Sequence, residues 1–549
     1  MPVEIVRNFE IPTLSFNFSE EYWPQISAPV NEAYGVGEVK DAAIVQGALK
    51  LAFAKCGELF MNIISGERHA SFYLYVQHLL ENSIDIFTAI LGGEDFQEIN
   101  KSDFANIRRT LRIILEQSTN VDLVGHANFM AEIAQNRQEY YETLDRLLYL
   151  GYQAFNISQE IARSQLFPRS GNFDIDEQGL LGMGTEPAYK PIFDYLERDI
   201  PKHDESVTLY HTIEELIKVW RKLGVEYGEM ASFFAEQIKN PQFRFALMAK
   251  DAFYEQAKQA FGQHGNIALS FYDGLIVSRR NVLSFEDCML RSQDINRIMY
   301  RPLVEISVDD KVYIMAGFNR WLECLSTLTT NALPWGHVAE EWSQHKPIKD
   351  FVQHLQETHD DILEDAAVEI FKVTQIPYDK SVKSLKQHKG NNFSIDKLKG
   401  VGEIDLVFAD IPKKILYIVE CKHNKSRFDY FNWKRDYLTF KSKYETQLKN
   451  KILFGKAETE RVLVHLEVVN GVVIEDKANY NVQGIFLINA PTLYMYDALH
   501  PTLTLHNLQQ LLDGELVIPK FDLTLPDGQK LLVEQPYFTN LAQILQPES

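Results

Sequence analysis

The sequence predicts an α+β chain of more than one domain. A large, mainly α-helical region covers 1–340, an α/β domain with a mixed sheet covers 350–512, and a small β appendage covers 513–549. Three observations predict this. The chain has 549 residues, whereas single hydrophobic cores stop growing near ~250–300. Apolar residues recur at three- and four-residue steps through 41–167 and 212–263, the mark of helices that bury one face. From 401 onward, short runs of Val, Ile, Leu, Phe and Tyr bounded by turn residues replace that pattern and read as strands.

Taken in order, residues 1–40 carry scattered prolines and aromatics and predict an irregular or short-stranded lead-in. Ile44, Ala48, Leu51, Ala52 and Cys56, and later Leu144, Leu147, Leu148 and Tyr152, have helical spacing, so several antiparallel helices are expected from Asp41 to Phe167. Glycines and prolines break the pattern over 168–206, a long loop or a subdivision of the region. Helix resumes from Thr212 to Gln263, a mixed section over Asn266–Lys311 is expected to add one or two strands around IALSFYDGLIVS, and another helix is expected over Val312–Thr330. The stretch Asn331–Lys349, with two prolines and two tryptophans, is the expected domain junction. A helix over Asp350–Val373, a strand within Gln375–Leu385 and a lysine-rich loop follow. Next come a hairpin, a helix through Tyr437, Phe440, Tyr444, Leu448 and Ile452, strands over Arg461–Val469 and Val482–Asn489, and a closing helix over Thr504–Leu512. An Asp-Gly turn at Asp527 and Gly528 centres the β appendage.

Composition excludes several classes. No apolar run approaches the ~20 residues of a membrane span, and MPVEIVRNFEIPT lacks a basic segment followed by an apolar one. The four cysteines have no CxxC spacing, which predicts a reduced, cytoplasmic protein without a zinc site. The N-terminal region has no phosphate loop, HExxH or GxSxG; acidic and helical, it reads as a partner-binding or sensing module. The net charge of −21 argues against nucleic acid, but its distribution does not: Lys372–Glu460 holds 19 lysines and arginines against 11 acids. A local excess of +8 inside an acidic chain is the footprint of one module that meets phosphates.

The chemistry concentrates in Gly402–Lys425, GEIDLVFADIPKKILYIVECKHNK. Two apolar strands flank turn residues Asp410, Pro412 and Lys413, so the pair reads as a hairpin. Alternation puts Glu403 and Asp405 on one face of the first strand and Ile418, Glu420 and Lys422 on one face of the second. Pairing then brings Asp405 beside Glu420 and Lys422. A buried carboxylate costs several kcal/mol unless paired or bound to a cation, so two acids and an amine on one face predict a divalent metal site. The competing reading is a hairpin with a cross-strand ion pair from Asp405 to Lys422.

Ile404-Asp405 followed by Glu420-Cys421-Lys422 resembles the PD-(D/E)XK nuclease superfamily, closest in wording to Mrr-type endonucleases and archaeal Holliday-junction resolvases. The likeness covers roughly 350–510. It implies a restriction-endonuclease-like domain and a Mg²⁺-dependent nuclease, with Mn²⁺ as a substitute ion and DNA as the expected substrate. Asp405, Glu420 and the backbone carbonyl of Cys421 would hold the ion. Lys422 would orient or deprotonate the attacking water. Glu364, in a segment loosely matching the family's FE-x-x-V/A helix, would complete the ligand set, and the Cys421 thiol would face the opposite, packed side. Lys386, Lys389 and Lys399 in the loop, Lys425 and Arg427 after the hairpin, and Lys434, Lys441 and Gln447 on the following helix are candidates for contact with nucleic acid. Cleavage of both strands would favour a homodimer. A bacterial defence effector gated by the N-terminal region is one expected setting. The alternative is a nucleic-acid-binding or assembly protein that keeps the fold as an inactive scaffold.

Overall fold

The computed structural model describes residues 3–96, 99–125, 129–167, 169–198, 206–239, 244–425, 427, 429–525 and 528–545. The chain is α+β and divides into two compact units, Met1–Gly184 with Glu205–Leu355, and Thr185–Asp204 with Gln356–Ser549. Residues 185–204 therefore group with the C-terminal unit.

In the N-terminal unit, helices Ala42–Gly66, Ala70–Leu91, Lys101–Ser118 and Phe129–Leu166 form the largest core. The first begins where the Asp41 carboxylate accepts from the amides of Ala43 and Ile44, and it buries Val45, Ala48, Leu49, Ala52 and Cys56 on one face. Several expectations are corrected. Residues 1–40 contain a hairpin, Val3–Val6 with Phe9–Pro12, and a helix, Ser19–Tyr34. The span 168–206 contains strands Gly171–Ile175 and Leu181–Thr185 and helix Lys190–Arg198. Around IALSFYDGLIVS, Gly265–Asp273 is a helix and Ile276–Val277 a short strand, and Leu303–Val308 is a further strand of the same section. Val312–Thr330 is not one helix: Lys311–Gly317 is a strand between Leu303–Val308 and Phe245–Ala249, and helix Phe318–Asn331 follows. The change falls at Gly317, where an added Cβ would lie 1.8 Å from the buried Glu81 carboxylate.

The C-terminal unit is built on a mixed five-stranded sheet. Helix α1 (Lys346–Thr374) precedes strands β1 (Tyr378–Val382), β2 (Ile404–Asp410) and β3 (Ile415–Lys422). Helix α2 (Tyr430–Thr439) runs through a π turn, Phe440–Tyr444, into α3 (Glu445–Ala457), and α4 (Thr459–Asn470) follows. Strand β4 (Asn481–Ile488), strand β5 (Thr502–Thr504) and helix α5 (Leu505–Asp513) complete the core. The sheet order is β1-β2-β3-β4-β5; the first two pairings are antiparallel and the last two parallel. Leu363, Ala367, Val368 and Phe371 of α1 cover one face with Leu406, Phe408 and Val419, while Leu448 and Ile452 of α3 cover the other with Val407, Ala409 and Ile418.

Arg461–Val469 is not a strand but the body of α4. Its valines favour β structure locally, yet Val462, Leu463 and Leu466 share one buried helical face and Gly471 closes the helix in the left-handed region at φ 65°. The appendage holds the antiparallel pair Phe521–Thr524 and Lys530–Val533; Asp527 of its expected turn lies outside the described residues. Helix Lys190–Arg198 packs within this unit: Phe193 meets Phe538 and Tyr430, and Tyr189 stacks on Phe538.

Candidate metal centre

Five charged side chains from four elements meet at one end of the two central strands. Asp405 is the second residue of β2, and Glu420 and Lys422 close β3. The pairing sets Leu406 against Val419, and one further step of the same register carries Asp405 across from Glu420. Glu364 comes from α1 and Lys451 from α3, both buried.

On the α3 side, Lys451 Nζ lies between the two acids, 3.0 Å from Asp405 Oδ1 and in direct contact with Glu420 Oε2. Lys422 Nζ donates to Glu420 Oε1 at 2.7 Å, not to Asp405, and sits 4.7 Å from the centre of the Tyr444 ring. The π turn supplies that ring. The Cys421 amide donates to Asp405 Oδ2 at 2.8 Å. On the α1 side, Glu364 Oε2 accepts from Ser381 Oγ at 3.1 Å. Ser381 holds a left-handed φ of 51° inside β1, a strained conformation for serine. One carboxylate oxygen each of Glu364 and Asp405 and the Cys421 Sγ lie within 4.8 Å of one another. The thiol does lie among the apolar side chains of the α1 face, as expected, but it also borders the acids.

The electrostatics divide along the same line. Burial opposes ionisation of Glu420, yet Lys422 and Lys451 outweigh it and hold that carboxyl below its usual range. Burial, and then the charge of Glu420, push Asp405 up. Of the facing pair, Glu420 keeps its charge. Burial weakens the Lys451 ammonium, but the two carboxylates more than restore it. Glu364 is pushed up to about 7 by burial first and by Asp405 second. The α3 side is thus balanced by two ammonium groups, while on the α1 side the positive charge acting on Glu364 is that of Lys380, whose ammonium is bonded to Asp365.

A cavity of about 500 Å³ opens beside Glu420 and Lys451, lined also by Gly400, Gly402, Gln447 and Asn450. Gly400, at φ 83°, lets the loop before β2 turn close to Asn450; an added Cβ there would be 3.0 Å from Asn450 Nδ2. Gln447 Oε1 is buried and has no hydrogen-bond partner among the described residues.

The basic candidates divide into two groups. Lys386, Lys389 and Lys399 are exposed. Arg427 instead forks onto Asp436, with both contacts at 2.7 Å. Lys441 donates to the Asp497 carbonyl at 2.7 Å and pairs with Glu445 at 3.4 Å. Lys425 is buried, and Lys434 is half-buried and engaged. Arg427 and Lys441 are thus held by neighbouring groups of the unit. The sequence reading missed Lys451, Ser381 and Tyr444. Lys451 carried a signal, since it lies on the apolar stripe of Leu448, Ile452 and Gly455, where a lysine is out of place.

Comparison with protein-family models, with curated proteins and with solved structures finds no match to this chain.

Proposed function

We propose that this chain is a divalent-metal-dependent nuclease, its C-terminal unit a restriction-endonuclease-like domain that hydrolyses phosphodiester bonds, with DNA as substrate. The observation that carries this reading is the meeting of Glu364, Asp405, Glu420, Lys422 and Lys451, from separate elements, beside a cavity of about 500 Å³. The donor set fits a divalent ion: Glu364, Asp405 and Cys421 bring ligand atoms within 4.8 Å of one another, and Glu420 stands across the Lys451 ammonium. A bound ion would activate water and screen charge that grows on the phosphate oxygens. Lys422, held by Glu420 and by the Tyr444 face, is placed to orient water or to neutralise the phosphate. Lys451 keeps the two strand acids together without an ion. Lys389 and Lys399 supply exposed positive charge for a phosphate backbone.

Four buried free cysteines support a reducing, cytoplasmic setting, and among the described residues no helix is long and apolar enough to cross a membrane. Gating by the N-terminal unit, as in a defence effector, remains part of the proposal.

One observation favours the second reading, an inactive nucleic-acid-binding scaffold: Lys451 already satisfies Asp405 and Glu420 as a structural ion pair would. Incubating the full chain with plasmid, linear duplex, single-stranded DNA and RNA, in Mg²⁺, Mn²⁺ or EDTA, separates the two. Metal-dependent cleavage that falls about a thousandfold in Asp405→Ala, Glu420→Ala and Lys422→Ala is expected. Absence of cleavage in every combination, with salt-sensitive binding indifferent to Asp405→Ala, would establish the scaffold.

A further inference from the structure

Asp405 has two sides, and among the described residues a cation is bonded to it on one of them. Toward α3, Lys451 and Lys422 answer Glu420 and one oxygen of Asp405. Toward α1, the facing groups are Glu364, whose carboxylate accepts from the Ser381 hydroxyl, and the Cys421 thiol. Lys380 on that side is bonded to Asp365 and acts on Glu364 without a hydrogen bond to it. Cys421 is 1 % exposed, and its sulfur makes no hydrogen bond to any described residue. The Cys288 thiol, by contrast, donates a hydrogen bond to Glu116 at 3.2 Å, an acid that Arg297 already neutralises.

A buried, unpartnered thiol aimed at two carboxylates is a mixed sulfur–oxygen donor set. All-oxygen sets suit Mg²⁺, while a thiolate selects softer divalent ions of the first transition row. We infer that Glu364, Asp405 and Cys421 form a site for a thiophilic divalent transition ion, bound through the Cys421 sulfur rather than through its backbone carbonyl. The inference rests on the reading of Asp405 as a metal ligand and adds the ion's class. Binding forms a sulfur–metal bond and breaks the S–H bond, the proton passing to solvent. The ion displaces neither Lys451 nor Lys422, because it sits on the other side of Asp405.

Co²⁺ titrated into the metal-free full-length protein tests this by absorption. A thiolate-to-cobalt charge-transfer band in the near ultraviolet, saturating at one equivalent, is expected, with Co²⁺ held at least about tenfold tighter than Mg²⁺ in competition. Cys421→Ser should abolish the band, Glu364→Gln should weaken Co²⁺ binding about tenfold or more with the thiol still present, and Lys451→Met should keep the band. Because Glu364→Gln leaves the sulfur in place, the test survives a poorly folded Cys421→Ser. No band in the wild type, a band that persists in Cys421→Ser, or equal affinity for Co²⁺ and Mg²⁺ would overturn the site. Mg²⁺-dependent cleavage without the band would overturn this inference and leave the nuclease standing. The band without cleavage of any nucleic acid would do the reverse.

Discussion

Both units bury carboxylates, but they serve them differently. In the N-terminal unit, Glu116 accepts from Arg297 Nε at 2.8 Å and from the Ile298 amide at 2.7 Å. Glu81 accepts from Gln77 at 2.9 Å and from the amides of Asn319 and Arg320 at 2.7 and 3.2 Å, and Glu323 is clamped by Arg108 and Arg112. Planar guanidinium groups and backbone amides are fixed in direction, so these acids are closed off. At the cluster of Glu364, Asp405 and Glu420 in the C-terminal unit, one backbone amide, that of Cys421, is joined by lysine ammonium groups on flexible stems and one serine hydroxyl. Buried charge marks a site only where part of it is left open to a further cation; elsewhere it is part of the scaffold.

The largest expected effect breaks the comparison from the scaffold side. Arg297→Met strands Glu116 and should cost about 3–5 kcal/mol of stability in denaturant unfolding, with no rescue by divalent ions. Lys451→Met removes the ammonium between Asp405 and Glu420, leaving the first to the Cys421 amide and the second to Lys422, and should cost about 3 kcal/mol in metal-free buffer. Mn²⁺ at a hundredfold above its dissociation constant should then return about 2.7 kcal/mol. Rescue of both variants, or of neither, would erase the distinction between the two kinds of cluster.

A pH series sharpens it further. Burial holds the Glu81 carboxyl up at about 7 in the folded chain, against an ordinary value of 4.5. Below 4.5 both states are protonated; between 4.5 and 7 only the unfolded chain ionises, so rising pH removes stability, and above 7 the full penalty persists. Against Glu81→Gln, the wild type should lose up to about 3 kcal/mol across that window. A difference that does not vary with pH would mean that folding does not raise the Glu81 carboxyl above its ordinary value. The smallest effect belongs to the exposed lysines. Lys389→Ala and Lys399→Ala should each lower the salt dependence of nucleic-acid binding by about one counterion, with turnover at saturation unchanged; an unchanged slope would remove them from the interface.

Much of this was readable in the chain because it is local. The hairpin announces itself through two short apolar runs about a turn, and alternation alone places Asp405 and Glu420 together. Lys451 was harder to find: it lies thirty-one positions beyond Glu420, and only a charge on an apolar helical stripe betrayed it. Arg461–Val469 misled because valine's preference for strands yields to a buried helical face. The buried roles of Arg427 and Lys441 were not legible at all, since Asp436 and Asp497 become their partners only through the fold. Residues 185–204 pose the same problem at a larger scale, because nothing in their composition assigns them to a unit whose main body begins at 356.

The five-residue π turn at Phe440–Tyr444 has a consequence for how this chain tolerates change in length. A π turn carries one residue more than the regular winding needs, and each residue advances a helix by ~100°. Excising a single position there would let the winding heal and leave every later side chain, Lys451 included, where it now stands. The regular turns between Glu445 and Asn450 hold no such spare residue. One codon lost from them would bring Ile452 to the place of the ammonium and set a hydrocarbon against both carboxylates.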